Sequence, residues 1–555
     1  MANLFRSNRS PRVKRNPFNL SHDVKLTTDF GRLTPVLCKE VVPGDIFRMK
    51  SEMLIRTSPL FAPLMHRVNA YLHIWYVPSR LLMDHFDTFI TGGENGDGKI
   101  GERFSIVTSE VNKPFVYFKD LAEWYRRDNQ ALMNIFGNGS LFDYLGFPAQ
   151  PLEKLQIGVS DTDQKIDLLP FFAYHLIYNE NYRDENFEDK VDILKDVEGD
   201  VIDYLNDALS GGASTTLVNN ILDSLFLCHQ RNWEKDYFTS ALPWPQRGSE
   251  QTLGEEGELG VQADATPTGY LSTLSSGKVN VQDVADHLDL GVQIPAVSIN
   301  ELRRSLAIQK FRERMARYGS RYTEFLRGVF GVAPKDSRLQ RPEFLGGFKQ
   351  QIQFGEVLQT SETTADSPQG AYAGTGFSLS GGKYIKRSFD EHGYIIGILS
   401  IMPKPAYMQG WPREFNRFDK LDYYIPDFDH LGEQDIRKRE LNFNPNASSA
   451  NGQLFGYTPR YSEYKFAPSR VCGEMRSTLD FWHLARRVAD GQNLNASFLQ
   501  VNQNEMDRVF NYVGEPPIEG STTLKYPSTD DHFWIQVYHE IKALRPMSKF
   551  GTPLI

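Results

Sequence analysis

The segment DFDHLGEQD, residues 427 to 435, holds Asp427, Asp429, Glu433 and Asp435 just beyond Trp411, Phe418, Tyr423 and Tyr424. Carboxylates beside aromatic platforms can hydrolyse glycosides, one acid protonating the leaving oxygen while the other attacks or activates water. Nothing in this spacing puts two of them on opposite sides of a cleft, so a polar contact loop is the reading the residues favour. GENGDGKI, residues 93 to 100, has the spacing of a phosphate-binding loop in Gly93, Gly98 and Lys99. Ile100 stands where a hydroxyl must hold magnesium, and no helical pattern follows, so a glycine-rich turn is expected instead. The 12 histidines form no His-Glu-x-x-His pattern, the cysteines no Cys-x-x-Cys, and no Gly-x-Ser-x-Gly elbow occurs. The chain is therefore not expected to be an enzyme, and no metal or cofactor is expected.

A second stretch has its own chemistry. RSNRSPRVKR, residues 6 to 15, carries Arg6, Arg9, Arg12, Lys14 and Arg15 with no carboxylate, in a chain of 61 Lys and Arg against 70 Asp and Glu, net charge -9. No apolar run follows, so it is not a secretory signal, and Pro11 and Pro17 break any amphipathic presequence helix. Such an arm cannot bury apolar surface; it is either a solvated tail or a segment ordered by a polyanion.

The elements that must position these residues are mostly strands. In 67–78, Val68, Ala70, Leu72, Ile74 and Tyr76 alternate with Arg67, Asn69, Tyr71, His73 and Trp75. In 532–542, Phe533, Ile535, Val537 and Ile541 face a core, with Trp534, Gln536, Glu540 and Lys542 facing out. GYIIGILSIMP, 393–403, is apolar throughout and reads as a strand covered on both faces, ended by Pro403. Strands near both ends of the chain with long excursions between them suggest a sandwich whose loops have grown into substructures. One excursion, 298–322, predicts a helix opened by a Ser298–Glu301 capping box, with Phe311, Met315, Tyr318 and Tyr322 on one stripe and a solvated basic face. Two others are acidic: 185–227 has ten carboxylates and two lysines, and 249–297 has eight and one, the latter rich in Gly, Ser and Thr like an outward-facing insertion.

Composition agrees with a soluble globular chain: 40% hydrophobic, 24% charged, with 37 Phe and 25 Tyr to supply sheets and contact surfaces. No run of about 18 apolar residues suggests a membrane span. Cys38, Cys228 and Cys472 are too few and too scattered for a disulfide framework, which points to a reducing compartment.

A resemblance joins these pieces. LTPVLCKEVVPGDIFRMK (33–50), LPFFAYHLIYNENYRDENF (169–187), DYFTSALPWPQRG (236–248), DYYIPDFDHLGEQ (422–434) and FGYTPRYSEYKFAPSRVCGEMRSTLDFWHLA (455–485) occur in consistent order along most of the chain. Together they resemble the major capsid proteins of microviruses, most closely the gokushovirus-like branch. The resemblance implies an all-β, eight-stranded antiparallel jelly roll with long, partly helical inter-strand insertions, self-assembling into an icosahedral shell around circular single-stranded DNA. It implies a virion location after assembly in the host cytoplasm, a small basic internal virion protein as partner, and surface loops meeting a host receptor. The expected organisation is a basic, interior arm (1–30), a first part of the jelly roll (31–184), acidic insertions (185–297) with a surface protrusion at 249–297, and the remainder of the jelly roll (298–555). On this reading Arg6, Arg9, Arg12, Lys14 and Arg15 neutralise DNA phosphates without reading bases, with Phe5 and Phe18 either stacking on bases or tucked against the shell. The competing class is a carbohydrate-active or lectin-like β-sandwich protein using Asp427 to Asp435, which predicts a monomer or small oligomer.

Overall fold

The computed structural model describes residues 14–91, 99–100, 109–127, 133–147, 164–247, 299–318, 340–358, 372–446, 448–511 and 531–550. Its main sheet contains β1 (Asn16–Asn19), β2 (His22–Thr28), β3 (Thr34–Val41), β4 (Ile46–Thr57), β5 (Val68–Pro78), β6 (Glu343–Leu358), β7 (Tyr372–Gly381), β8 (Ile385–Ser388), β9 (Gly393–Pro403) and β12 (Phe533–Arg545). A separate hairpin-like pair is β10 (Glu433–Arg437) with β11 (Leu454–Pro459). Eight strands follow one another along the hydrogen-bonded path β1-β12-β4-β7-β6-β5-β9-β3, while β2 pairs with β12 and β8 with β4. Every pairing between these strands is antiparallel.

The sheet curls so that its two halves face each other. Met53 and Ile55 of β4 and Phe533, Ile535 and Val537 of β12 share one core with Val68, Ala70 and Leu72 of β5 and Leu399 and Ile401 of β9. A second cluster repeats this across the halves: Phe47, Met49, Ile541 and Ala543 against Ile74, Tyr76 and Ile395. This is the all-β jelly-roll plan, in which distant segments close a two-layered core. The alternation expected in 532–542 places Phe533, Ile535, Val537 and Ile541 inside, and His539 joins them. Phe533 pairs with Thr57 of β4 and Thr28 of β2.

The half made of β3, β9 and β5 is also covered on its other side. Trp75 and Val77 of β5 and Tyr394, Ile396 and Ile398 of β9 pack into a large cluster with the excursion 111–226. That excursion supplies helices α1 (Phe118–Arg127), α2 (Leu169–Asn181), α3 (Val201–Ser210) and α4 (Thr215–Phe226). All eleven residues of β9 are buried, matching its uniformly apolar sequence. Helix α2 is apolar nearly all round and sits in the middle of this layer, Phe171, Phe172, Tyr174 and Ile177 being wholly buried. Helices α3 and α4 are amphipathic, opened by Asp200 and Ser214, whose side chains accept from the amides of Ile202 and Leu217. The acidic stretch 185–227 is thus a structural layer: its carboxylates coat a surface whose underside buries Val201, Ile202, Leu205, Val218, Leu222 and Phe226.

Residues 299–318 form a helix, α5 (Ile299–Tyr318), as its periodicity predicts, with Arg303 and Arg304 exposed. Its capping residues and the stripe of Phe311, Met315, Tyr318 and Tyr322 lie outside the described side chains. Gly93 and Gly98 of the glycine-rich turn lie outside the described residues; Lys99–Ile100 is a short strand paired with Ser109–Glu110. Among the described residues no helix is long and apolar enough to cross a membrane.

Candidate nucleic-acid interface and subunit-contact surface

Of the five arm cations, Arg6, Arg9 and Arg12 lie outside the described residues, while Lys14 and Arg15 are exposed at the entrance to β1. The chain then locks into the sheet. Asn16, Pro17, Phe18 and Asn19 pair with Arg545, Leu544, Ala543 and Lys542 of β12. Phe18 is half-buried. Arg545 meets the wholly buried Asp45 carboxylate through Nε at 3.0 Å and a terminal nitrogen at 2.8 Å, and donates to the Glu40 carbonyl at 2.9 Å. Two-pronged guanidinium–carboxylate pairing of this kind fixes geometry as well as charge. Gly44, beside that pair, adopts φ +90°, and a side chain there would meet the Arg15 guanidinium at 3.4 Å. The arm therefore leaves from a pinned root.

The chain's ends meet at another buried group. His532 Nδ1 lies 2.9 Å from Asp29 Oδ2 and 3.8 Å from Asp507, with the Phe510 ring stacked on the imidazole at 4.0 Å. Burial raises the Asp29 carboxyl pKa, opposed by the His532 contact. These three residues could together hold a cation. Their separation of some five hundred residues left no motif to find, and the pair acts here as a clamp between β12 and the segment after β2.

The acidic–aromatic loop is organised by ion pairs. Asp429 is held by Lys465 at 3.3 Å, and Asp435 by Arg437 at 3.1 Å and Arg413 at 3.6 Å. Arg413 also reaches Glu440 at 3.3 Å, whose other oxygen accepts from the Tyr237 hydroxyl at 2.9 Å, and Glu463 lies 3.8 Å away. Burial raises the Glu440 pKa against the pull of Arg413. Lys465 thus neutralises Asp429, while Asp435, Glu440 and Glu463 converge on the Arg413 guanidinium, a cation where a glycosidase would need open space for substrate. A cavity of about 450 Å³ near Met65, Pro405 and Val471 is lined by Arg67, Lys404 and Arg470 and by no carboxylate, so it has no acid–base pair for glycoside hydrolysis. What the network does hold up is an exposed apolar loop, with Phe415, Phe418 (84% exposed), Tyr423, Tyr424 and Leu431 turned outward. A patch of that kind marks a protein contact. Cys38, Cys228 and Cys472 are free, and burial pushes the first two thiols up to about 11 and about 12, which leaves them unreactive.

The sequence matches a family model described as "Capsid protein (F protein)" over residues 7–555. It is 31% identical to the capsid protein VP1 of Bdellovibrio phage phiMH2K, across 98% of this chain and 96% of that protein. It is 30% identical to the capsid protein VP1 of Chlamydia phage 1, across 100% of this chain and 98% of that one. Against the capsid protein VP1 of Spiroplasma virus 4 the identity is 27%, across 99% and 96% respectively.

Proposed function

The chain belongs to the phage capsid (F protein) family, and from that premise we propose that its basic arm lies inside the shell and neutralises a circular single-stranded DNA genome. As a member of that family it is a structural protein of the virion, not an enzyme, and works by joining copies of itself into a closed shell. A carbohydrate-active or lectin-like role has no support.

The arm carries the genome reading. Five cations without a carboxylate precede a strand pinned to β12, in a chain of net charge -9. A segment of this kind neutralises phosphates with no base readout. A small basic internal protein would share the task. The segment 249–297, acidic and Gly-rich, is our candidate for the outward protrusion that meets a host receptor. It lies between 31–184 with 185–248 on one side and the jelly-roll remainder from 298 on the other. The exposed loop around Phe418 supplies apolar anchors between subunits, many modest contacts adding up because each copy is held on several sides.

Replacing Arg6, Arg9, Arg12, Lys14 and Arg15 by Gln tests the arm. Shells should still form, while genome retention falls, and falls further as salt is raised. Full DNA content in particles of that variant at raised ionic strength would remove the arm from the interior. Replacing Phe415 and Phe418 by Ser should leave a folded subunit that sediments as small species; intact shells would take that loop out of the subunit contacts.

A further inference from the structure

The half of the sheet that receives the arm has an outer face that no element among the described residues covers, and its charges are arranged in rows. Asn19, Lys542, Arg48 and Lys386 stand directly opposite one another on β1, β12, β4 and β8, so three cations from three adjacent strands lie side by side. Like charges in directly opposed positions destabilise a sheet unless something of opposite sign lies across them. Lys542 has Glu540 at 3.0 Å, but Arg48 and Lys386 have no carboxylate partner among the described residues; Arg48 lies instead over the Tyr384 ring at 4.3 Å. Eight residues back along β12 a second row runs Thr27, Trp534, Arg56, Phe377 across β2, β12, β4 and β7, with the guanidinium strand position flanked by an aromatic on each side. Trp534, Tyr538, Tyr384 and Phe377 are all exposed. Tyr538 sits on the same side as Trp534 and four residues away, about 13 Å at strand spacing. Counting Lys25, Lys50 and Arg56 with the first row gives six cations on this face against Asp23, Glu52 and Glu540, in a chain whose net charge is negative.

We propose that single-stranded DNA runs from the arm onto this outer face of β2, β12, β4, β7 and β8, so that the arm-bearing half of the jelly roll is the inward half of the subunit. The inference rests on the capsid reading above. Exposed cations interleaved with flat rings are the chemistry of sequence-tolerant single-strand binding: the charges track the backbone, and Trp534, Tyr538 and Phe377 offer π-faces to unstacked bases. Charge complementarity selects this occupant over a basic internal protein, which the cation row would repel. Position supports it too, because the arm's last cation, Arg15, stands at the edge of the sheet, four residues before the Asn19 row.

Ultraviolet cross-linking of intact, DNA-filled particles, followed by mass spectrometry of the nucleotide-bearing peptides, tests the placement without any substitution. Adducts on the β12 peptide containing Trp534 and Tyr538 and on the β4 peptide 46–57 are expected. Adducts confined to residues 1–15 would overturn the face while leaving the arm's role intact; adducts absent from both would overturn the arm's role as well. In a second measurement, Arg48, Lys386 and Lys542 are replaced by Gln in the full chain, and oligothymidylate binding to unassembled subunits is titrated against salt. The log–log salt slope should fall by about 2, the loss expected for three phosphate contacts on a single strand. An unchanged slope would contradict the proposal. Lysine acetylation of empty and filled shells separates DNA from a neighbouring subunit as the cover: Lys386 and Lys542 should be protected only in filled ones, and protection in both would overturn the assignment.

Discussion

The two halves of the jelly roll share one interior and differ on their outer sides. The half formed by β3, β9 and β5 is roofed by helices α1 to α4, and Ile396 and Ile398 are as buried on that side as Leu399 and Ile401 are on the other. The half formed by β4, β12 and β7 buries one face and presents Arg48, Arg56, Trp534 and Leu379 on the other. The same strand geometry thus serves two tasks: one half is a structural centre, and the other is a contact surface whose residues are free to be chosen for charge and ring faces. Stability should reside in the first half and partner binding in the second.

The largest expected effects break that contrast in stability. Phe172→Ala, in α2 beneath the roofed half, should cost about 3–5 kcal/mol in denaturant unfolding of the subunit, whereas Phe377→Ala on the bare face should stay within about 0.5 kcal/mol. Comparable losses at the two sites would mean that the bare face is packed after all. Next comes the root of the arm. Asp45→Asn leaves the Arg545 guanidinium without its buried counter-charge and should cost about 3 kcal/mol, with protease cutting near Asn16 becoming faster than in the parent chain.

Acid should affect both halves alike, through buried histidines. His175, in the roofed layer, donates to the Leu225 carbonyl at 2.7 Å, and His539, in the shared interior, donates to the Val36 carbonyl at 3.1 Å and accepts from Ser51 at 2.8 Å. Burial holds each pKa down to about 4, from the usual 6.5, with repulsion by His22 adding to the effect at His539. Between those values the unfolded chain takes up protons that the folded chain does not, so stability is complete above pH 6.5 and is lost as pH falls toward 4. The loss should be on the order of 1–3 kcal/mol for each histidine, read as a falling denaturant midpoint from pH 7.5 to pH 4.5. A flat midpoint would mean that these rings are hydrated. Trp534→Ala, like Phe377→Ala, should stay within about 0.5 kcal/mol, although it should remove the main cross-linked ring.

Much of this was legible in the sequence because periodicity records how many faces a strand buries. The alternation in 532–542 and the unbroken apolar run in 393–403 predicted one covered face and two, and the structure has one and two. In 67–78 the second set of residues is not uniformly outward: Asn69 and Trp75 are buried, Trp75 under the Phe344 ring at 4.9 Å, because β6 and the roof arrive from far along the chain. The acidic stretch 185–227 read as an excursion by charge, while the apolar undersides of α3 and α4 make it part of the core; composition averages over a helix's two sides and conceals this. The Arg545–Asp45 and His532–Asp29 contacts close about five hundred residues of chain, and no local pattern can announce a pairing of that range. The arm's charge was plain from the start. That its root meets a row of cations needed the β12–β4–β8 register, which only the folded sheet provides.

A three-dimensional reconstruction of purified, DNA-filled particles by electron microscopy decides the matter most directly, since it fixes which side of the subunit faces the lumen. The outer face of β4 and β12 should look inward, with Asn16 on the lumenal side and density lying across Arg48, Lys386 and Lys542. A shell in which that face and the arm's root point to the exterior, with helices α1 to α4 lining the lumen, would contradict it.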